Sequence, residues 1–205
     1  MITLIIIAIT VIVSIAAMEN YTLKNKLMFN AYMINHNKEG YRFISNGLIH
    51  ADWLHLIFNM YALWMFGQGV EKMYGAVYGG KGMFFFILLY VGGLVMSSLY
   101  SYEKHKENIH YNALGASGAV SAVVFAFIVL NPTVPLGLII IPGIHVPAYL
   151  FGILMLGIEH YLSRRGNTGI AHDAHFWGSI FGVLFTIALK PSLAMDFIHK
   201  IQGVY

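Results

Sequence analysis

Ser117, His175, His55 and Asn59 are the residues of this chain whose types and spacing can do chemistry together. A serine hydroxyl attacks a carbonyl only when a base accepts its proton, and histidine is suited to that task near neutral pH. The tetrahedral intermediate then needs N–H donors aimed at its oxyanion. Ser117 sits between Ala116 and Gly118 in "LGASGAVSA" (114–122), where an apolar run begins, and His175 opens "HFWGSIFG". His55 and Asn59 are four apart and stack on one face of a helix. Asn59 can offer an amide N–H, His55 a ring N–H and Ser117 its backbone N–H. A nucleophile, a base and oxyanion donors are the minimum for covalent acyl transfer.

Each residue also has a plainer explanation. A serine at a helix start is often an N-cap, and small residues with hydroxyls serve as contacts between membrane helices. An isolated His175 fits an interfacial residue with a satisfied ring, and His55 with Asn59 fits an interhelical hydrogen-bonded pair. Convergence of the four on one depth would favour chemistry, so the question passes to the elements that position them.

The chain has 205 residues, 58% hydrophobic and 10% charged; a soluble domain carries about a quarter charged residues. This predicts an all-α polytopic membrane protein forming one domain over 1–205. Six apolar segments of spanning or near-spanning length lie near 2–18, 53–71, 83–101, 117–131, 147–161 and 174–190. The first, ending "SIAAMEN", lacks the basic start of a signal peptide and reads as a span. The fourth is short, about 21 Å at 1.5 Å per residue, which suits the middle of a bundle.

If all six cross, the second, fourth and sixth run in the same direction and begin at one leaflet. His55 and Asn59, Ser117, and His175 then share a level. His175, Gly178 and Gly182 fall on one face, and Gly118, Ala122 and Ala126 form a matching small stripe. Packing of those faces brings His175 to Ser117. Ionisable groups inside spans are expensive and mark function. Water must reach such a site, so the second, fourth and sixth spans are expected to border a polar cavity.

The connections are legible in outline. Residues 19–52 mix lysines and asparagines with the apolar "LMFNAYMI" and read as a loop in the membrane interface. The four prolines of 131–147 forbid one continuous helix. The stretch "SRRGNTG" (163–169) is turn-rich and, with the fifth span, could act as a gate.

Other chemistries lack their residues. Without cysteine there are no disulfides, thiolate zinc sites or cysteine nucleophiles. The net charge of +3 is scattered, with no basic run suited to nucleic acid. No His-Glu-x-x-His helix occurs, and Asp52, Asp173 and Asp196 lie at span ends, so an intramembrane aspartyl pair is excluded. His172 and His175 hint at zinc, yet no acidic partner fits beside them; no metal and no cofactor are expected. Asp173, two before His175, points elsewhere on a helix, so a Ser–His dyad is expected. His172 is expected to bond nearby or face an aqueous entrance, and His50 reads as an ordinary loop residue. Glu71, 16 residues after His55 and about 24 Å along a helix, reads as structural, near the opposite interface.

These motifs together resemble the rhomboid intramembrane serine proteases in their basic six-helix bacterial form. "GASG" (115–118) is similar to the family's Gly-x-Ser-Gly motif, which implies Ser117 as nucleophile. "HLIFN" (55–59) is similar to His-x-x-x-Asn, which implies His55 and Asn59 in oxyanion stabilisation. "AHFWGSIFG" (174–182) matches Ala-His-x-x-Gly-x-x-x-Gly, which implies His175 as general base. Gly67, Glu71 and Gly75 fit a further structural pattern, and Tyr41-Arg42 stands where the family often has Trp-Arg. The resemblance implies transmembrane protein substrates, a bacterial plasma membrane and a site facing the extracytoplasmic side. Charge disagrees on orientation: eight of the twelve Lys and Arg lie in 19–52, 102–116 and 162–173, which the positive-inside rule would place in the cytoplasm. Two other readings stand beside the protease, a catalytically inactive relative that binds membrane proteins and a small transporter or channel. The second would spread ionisable groups through the membrane depth, whereas here they gather at one level.

Overall fold

The computed structural model describes residues 1–137, 143, 145–165 and 171–203. Six longer helices occupy the predicted intervals: α1 (Ile2–Glu19), α5 (Trp53–Tyr78), α6 (Gly82–His105), α7 (Ser117–Leu130), α8 (Ala148–Arg165) and α9 (His172–Leu189). Short helices α2 (Tyr21–Leu27), α3 (Ala31–Asn37) and α4 (Arg42–Ser45) fill the first connection, and α10 (Ser192–Gln202) follows α9. α1 and the run Trp53–His105 are long and apolar enough to cross a bilayer. That run has 53 residues, about 80 Å if straight against a hydrocarbon core of about 30 Å. It folds back at Gly79–Lys81, and α5 packs against α6. α9 and α10 together also qualify but are bent by 109°. The chain is an integral membrane protein.

α7 is the hub. With 14 residues it is the shortest of the six, and ten of them are buried beneath α5, α6, α8, α9 and α10. A helix apolar on every side must be enclosed on every side. Its final carbonyl, at Leu130, accepts from Lys200 Nζ of α10 at 2.8 Å, a cation placed at the negative end of the helix dipole. At the other end of α5 from His55, Glu71 accepts from the Ile2 and Thr3 amides (2.7 and 3.0 Å) and from Thr3 Oγ1 (2.8 Å). Glu71 thus caps the first turn of α1 and fixes that helix against α5.

The 19–52 connection has more structure than an interfacial loop requires. Arg42 is buried; its Nη1 donates to the Asn25 and Met28 carbonyls (2.8 and 2.7 Å) and its Nε to Glu39 (2.6 Å). Ser45 Oγ donates to the Leu27 carbonyl at 2.8 Å. These bonds fold the segment on itself. Strand β1 (Phe29–Asn30) then pairs antiparallel with β2 (Asn112–Ala113), directly before the serine motif. The arginine of Tyr41-Arg42 is therefore the anchoring member; Tyr41 is exposed, with its hydroxyl on the Lys26 carbonyl at 3.1 Å.

After α7 the prolines give strands rather than helix. β3 (Pro135–Gly137) pairs with β4 (His145–Pro147), Leu136 opposite Val146. Residues 138–142 and 144, between these strands, and 166–169 of "SRRGNTG" lie outside the described residues; of the gate expected from the fifth span and that stretch, α8 alone is described.

Candidate active site

The nucleophile candidate sits on a held turn. Gly115 has φ +120°, in the region that favours glycine. A Cβ there would also lie 2.6 Å from His55 Cε1 and 2.9 Å from its Nε2. The His55 ring therefore rests directly on the backbone two residues before Ser117. The Gly115 amide donates to the Asn46 carbonyl at 2.9 Å, and the Ala116 amide to His50 Nε2 at 3.3 Å. The first intrahelical bond of α7 is Val120 N–H to the Ala116 carbonyl, 2.9 Å. The amides of Ser117, Gly118 and Ala119 thus have no acceptor within their own helix, and the positive end of the dipole is there. Ala116, not Ser117, is the N-cap residue, and no side chain caps the helix. The hydroxyl is not committed to a structural cap.

His175 reaches this level through backbone contact between α7 and α9. A Cβ on Gly178 would overlap the Gly118 carbonyl oxygen, and one on Gly182 the Ala122 carbonyl oxygen. Gly118 is equally closed in: a Cβ there would overlap Ser97 Oγ and lie 3.4 Å from the Ala174 carbonyl oxygen. The residues flanking Ser117 and His175 therefore come together. Asn59 is buried one turn beyond His55, with one N–H of its amide on the His55 carbonyl at 2.9 Å; the second N–H remains to give. The structure thus sets the His55 ring against the turn before Ser117 and the first turn of α9 against the first turn of α7. Among the described residues no hydrogen bond joins Ser117 Oγ to His175, whose Nδ1 instead meets Glu159 Oε1 at 3.1 Å. Catalytic hydrogen bonds are often long before substrate binds.

Three expectations need correction. A carboxylate does stand on His175: Glu159 of α8 accepts from its Nδ1 at 3.1 Å with one oxygen and from His172 Nδ1 at 2.6 Å with the other. Asp173 lies elsewhere, as its place on the helix requires, 3.9 Å from Lys104 Nζ. Of the two readings for His172, the nearby bond is the one found: it is buried against Glu159. The acidic partner judged missing from beside the two histidines is likewise Glu159, and the three offer ligand atoms within 4.8 Å of one another. The sequence carried a signal for it, since Glu159 is the single acidic residue of the apolar run 148–165.

His50 is the second correction, being neither exposed nor ordinary. It is fully buried, with Nδ1 2.9 Å from Ser14 Oγ of α1 and its ring 4.9 Å from that of His55. Ser14 Oγ donates to the Leu48 carbonyl at 2.9 Å, so it accepts from His50 Nδ1–H. That leaves Nε2 unprotonated to accept the Ala116 amide. One tautomer satisfies every partner. Burial, reinforced by the His55 charge, lowers the His50 pKa from 6.5 to about 4. Between those values the unfolded chain takes up the proton first, so stability is complete above about pH 6.5 and is lost as the pH falls toward 4. Thermal unfolding from pH 4 to 7 checks this. The wild-type midpoint should fall across the window, and that of His50→Gln should fall less.

The third correction concerns the cavity. The small polar space beside Ser117 is bordered by Ser97, Ser98 and Ser101 of α6, together with Asn46 and the starts of α7 and α9. α6, rather than α5, lines it, and His55, Asn59 and His175 are not among the residues around it.

Known proteins resemble the chain over most of its length. The Rhomboid domain model matches residues 37–192. RHOMBOID-like protein 12, mitochondrial, of Arabidopsis thaliana is 29% identical over 174 residues, 75% of this chain and 49% of that protein. Rhomboid protein 1, mitochondrial, of Saccharomyces cerevisiae is 33% identical over 165 residues, 78% of this chain and 45% of that protein. Rhomboid protease AarA of Providencia stuartii is 25% identical over 179 residues, 80% of this chain and 62% of that protein. The chain spans about half the length of the first of these relatives. A matching domain over residues 37–192, which contain Ser117, His175, His55 and Asn59, places the chain in the rhomboid family.

Proposed function

We propose that the protein is an intramembrane serine endopeptidase that cleaves transmembrane segments of other membrane proteins. The observation that carries this reading is the backbone contact of Gly178 with Gly118, which sets the base helix against the nucleophile helix at the level of the polar residues. Ser117 Oγ attacks the scissile carbonyl while His175 Nε2 takes its proton, Nδ1 being occupied by Glu159. The Ser117 amide, the His55 ring and the free N–H of Asn59 receive the oxyanion. His175 then protonates the leaving amine, and water releases the acyl group from Ser117 by the reverse sequence. The six longer helices form six spans, with the short α7 ending below the surface at the polar cavity. The membrane is a bacterial plasma membrane and the site faces its extracytoplasmic side. No metal or cofactor takes part.

Incubation of the purified protein with a panel of single-span proteins, with cut sites mapped by mass spectrometry, tests the proposal. Discrete cuts within or at the edge of spans are expected, together with labelling of Ser117 by a fluorophosphonate. A protein that labels nowhere and cuts no member of the panel would be a binding relative rather than a protease.

A further inference from the structure

Glu159 is the ionisable residue that the acyl-transfer scheme does not require. α8 buries little else, only Ala148 and Gly152 besides Glu159. Its carboxylate nonetheless turns inward, away from solvent, and finds two donors on the first turn of α9. An anion in an apolar bundle is tolerated where donors satisfy both oxygens. Among the described residues each oxygen has one: Oε2 meets His172 Nδ1 at 2.6 Å and Oε1 meets His175 Nδ1 at 3.1 Å. A carboxylate only accepts, so both ring nitrogens carry their protons toward it. For His175 this leaves the Nε2 lone pair free for the Ser117 hydroxyl, the tautomer a general base needs. His172 holds the other oxygen and so fixes the plane of the carboxylate.

Resting on the protease reading above, we propose that Glu159 is a positioning residue for His175, so that the site works as Ser117–His175–Glu159 with the carboxylate supplied by α8. In the acylation step the Ser117 Oγ–carbonyl carbon bond forms and the hydroxyl proton passes to His175 Nε2. The imidazolium then faces Glu159, which stays ionised. As the scissile C–N bond breaks, that proton moves from Nε2 to the leaving nitrogen. Glu159 sets which nitrogen is free and steadies the transient positive ring, and it neither gains nor loses a proton.

Glu159→Gln is the decisive variant, because it keeps size and hydrogen bonding and removes the charge. Where its NH2 group faces His175 Nδ1 the proton is forced to Nε2 and the base is masked; where its oxygen faces Nδ1 the imidazolium still loses its counter-charge. The expected result on a single-span reporter is a fall in kcat of about 10²-fold or more at unchanged KM, as for the carboxylate of other serine hydrolases. The thermal midpoint should stay near that of wild type. In protein carrying 15N-histidine, a far-downfield Nδ1–H proton signal that disappears in His175→Ala should also be lost in Glu159→Gln. Glu159→Ala serves as a second variant, its midpoint separating misfolding from loss of the base.

Four outcomes overturn the proposal. Wild-type kcat in Glu159→Gln shows the carboxylate to be idle, and a fall in kcat matched by a collapsed midpoint with the proton signal intact shows it to be structural. Stoichiometric zinc in the purified protein, lost in Glu159→Gln and in His172→Ala, makes the cluster a metal site. Wild type that cleaves nothing and leaves Ser117 unlabelled removes the protease reading, and the triad with it; in the first three outcomes cleavage by wild type leaves that reading standing.

Discussion

Ser117→Ala is expected to lower the cleavage of a single-span reporter by about 10⁴-fold or more, and His175→Ala by as much. The double variant should be no slower than either single one. The reasoning is that the two side chains perform one step: without the base the hydroxyl stays protonated, and without the hydroxyl the base has nothing to activate. Their losses therefore do not add. Folding should be spared in Ser117→Ala, since the hydroxyl caps nothing in α7 and alanine is a good helix former. Removing an oxyanion donor leaves the nucleophile in place, so Asn59→Ala is expected to lose only about 10²- to 10³-fold. Initial rates measured in one lipid composition check all four variants. Ser117→Ala that keeps more than a hundredth of wild-type turnover, or a double variant much slower than both singles, would sink the assignment of nucleophile and base.

How much of this site was legible in the sequence follows from what kind of contact each residue makes. Ser117, His175, His55 and Asn59 stood out because each lies in the first two turns of its helix, and helix direction alone fixes which end of a helix that is. The Gly178 and Gly182 face was legible because spacing along a helix assigns a face without reference to any partner. Glu159 was not, although its apolar surroundings marked it as unusual. Which neighbour it meets depends on how α8 leans on α9, and no periodicity encodes that. His50 escaped for a similar reason. Its partners are Ser14, 36 residues before it, and Ala116, 66 after it, and nothing in the loop's composition foretells either. The pairing of Phe29 with Ala113 is equally remote. Helix periods therefore place a residue along and around its helix, while loops and tilts decide which groups it meets. α10 follows the same rule: Lys200 matters because the 109° bend after α9 returns it to the end of α7.

Gly178→Ala is expected to damage both stability and turnover, although it adds one methyl group. The new Cβ would overlap the Gly118 carbonyl oxygen, 2.9 Å from its carbon and 3.1 Å from its Cα. All three are backbone atoms, so no rotamer change relieves the clash and α9 must move off α7. Overpacking of this sort costs about 1–3 kcal/mol. At about 2–4 °C per kcal/mol for a chain of this size, the thermal midpoint should fall by several degrees. His175 lies three residues before Gly178, one turn away, so the shift is delivered to the base. A displacement of about 1 Å at a reacting group can cost about 10²-fold in rate. Gly182→Ala meets the Ala122 backbone just as closely, with the Ala122 carbon and Cα both 2.8 Å from the new Cβ. It lies two turns from His175, so it should lose comparable stability and keep more activity. Gly157→Ala in α8 is the control, since a Cβ there has nothing within 4 Å; it should match or exceed wild type in stability. Paired midpoints and rates for the three variants decide the matter. A Gly178→Ala protein with wild-type midpoint and turnover would mean that α7 and α9 are not held in backbone contact, and the route by which His175 reaches Ser117 would have to be a different one.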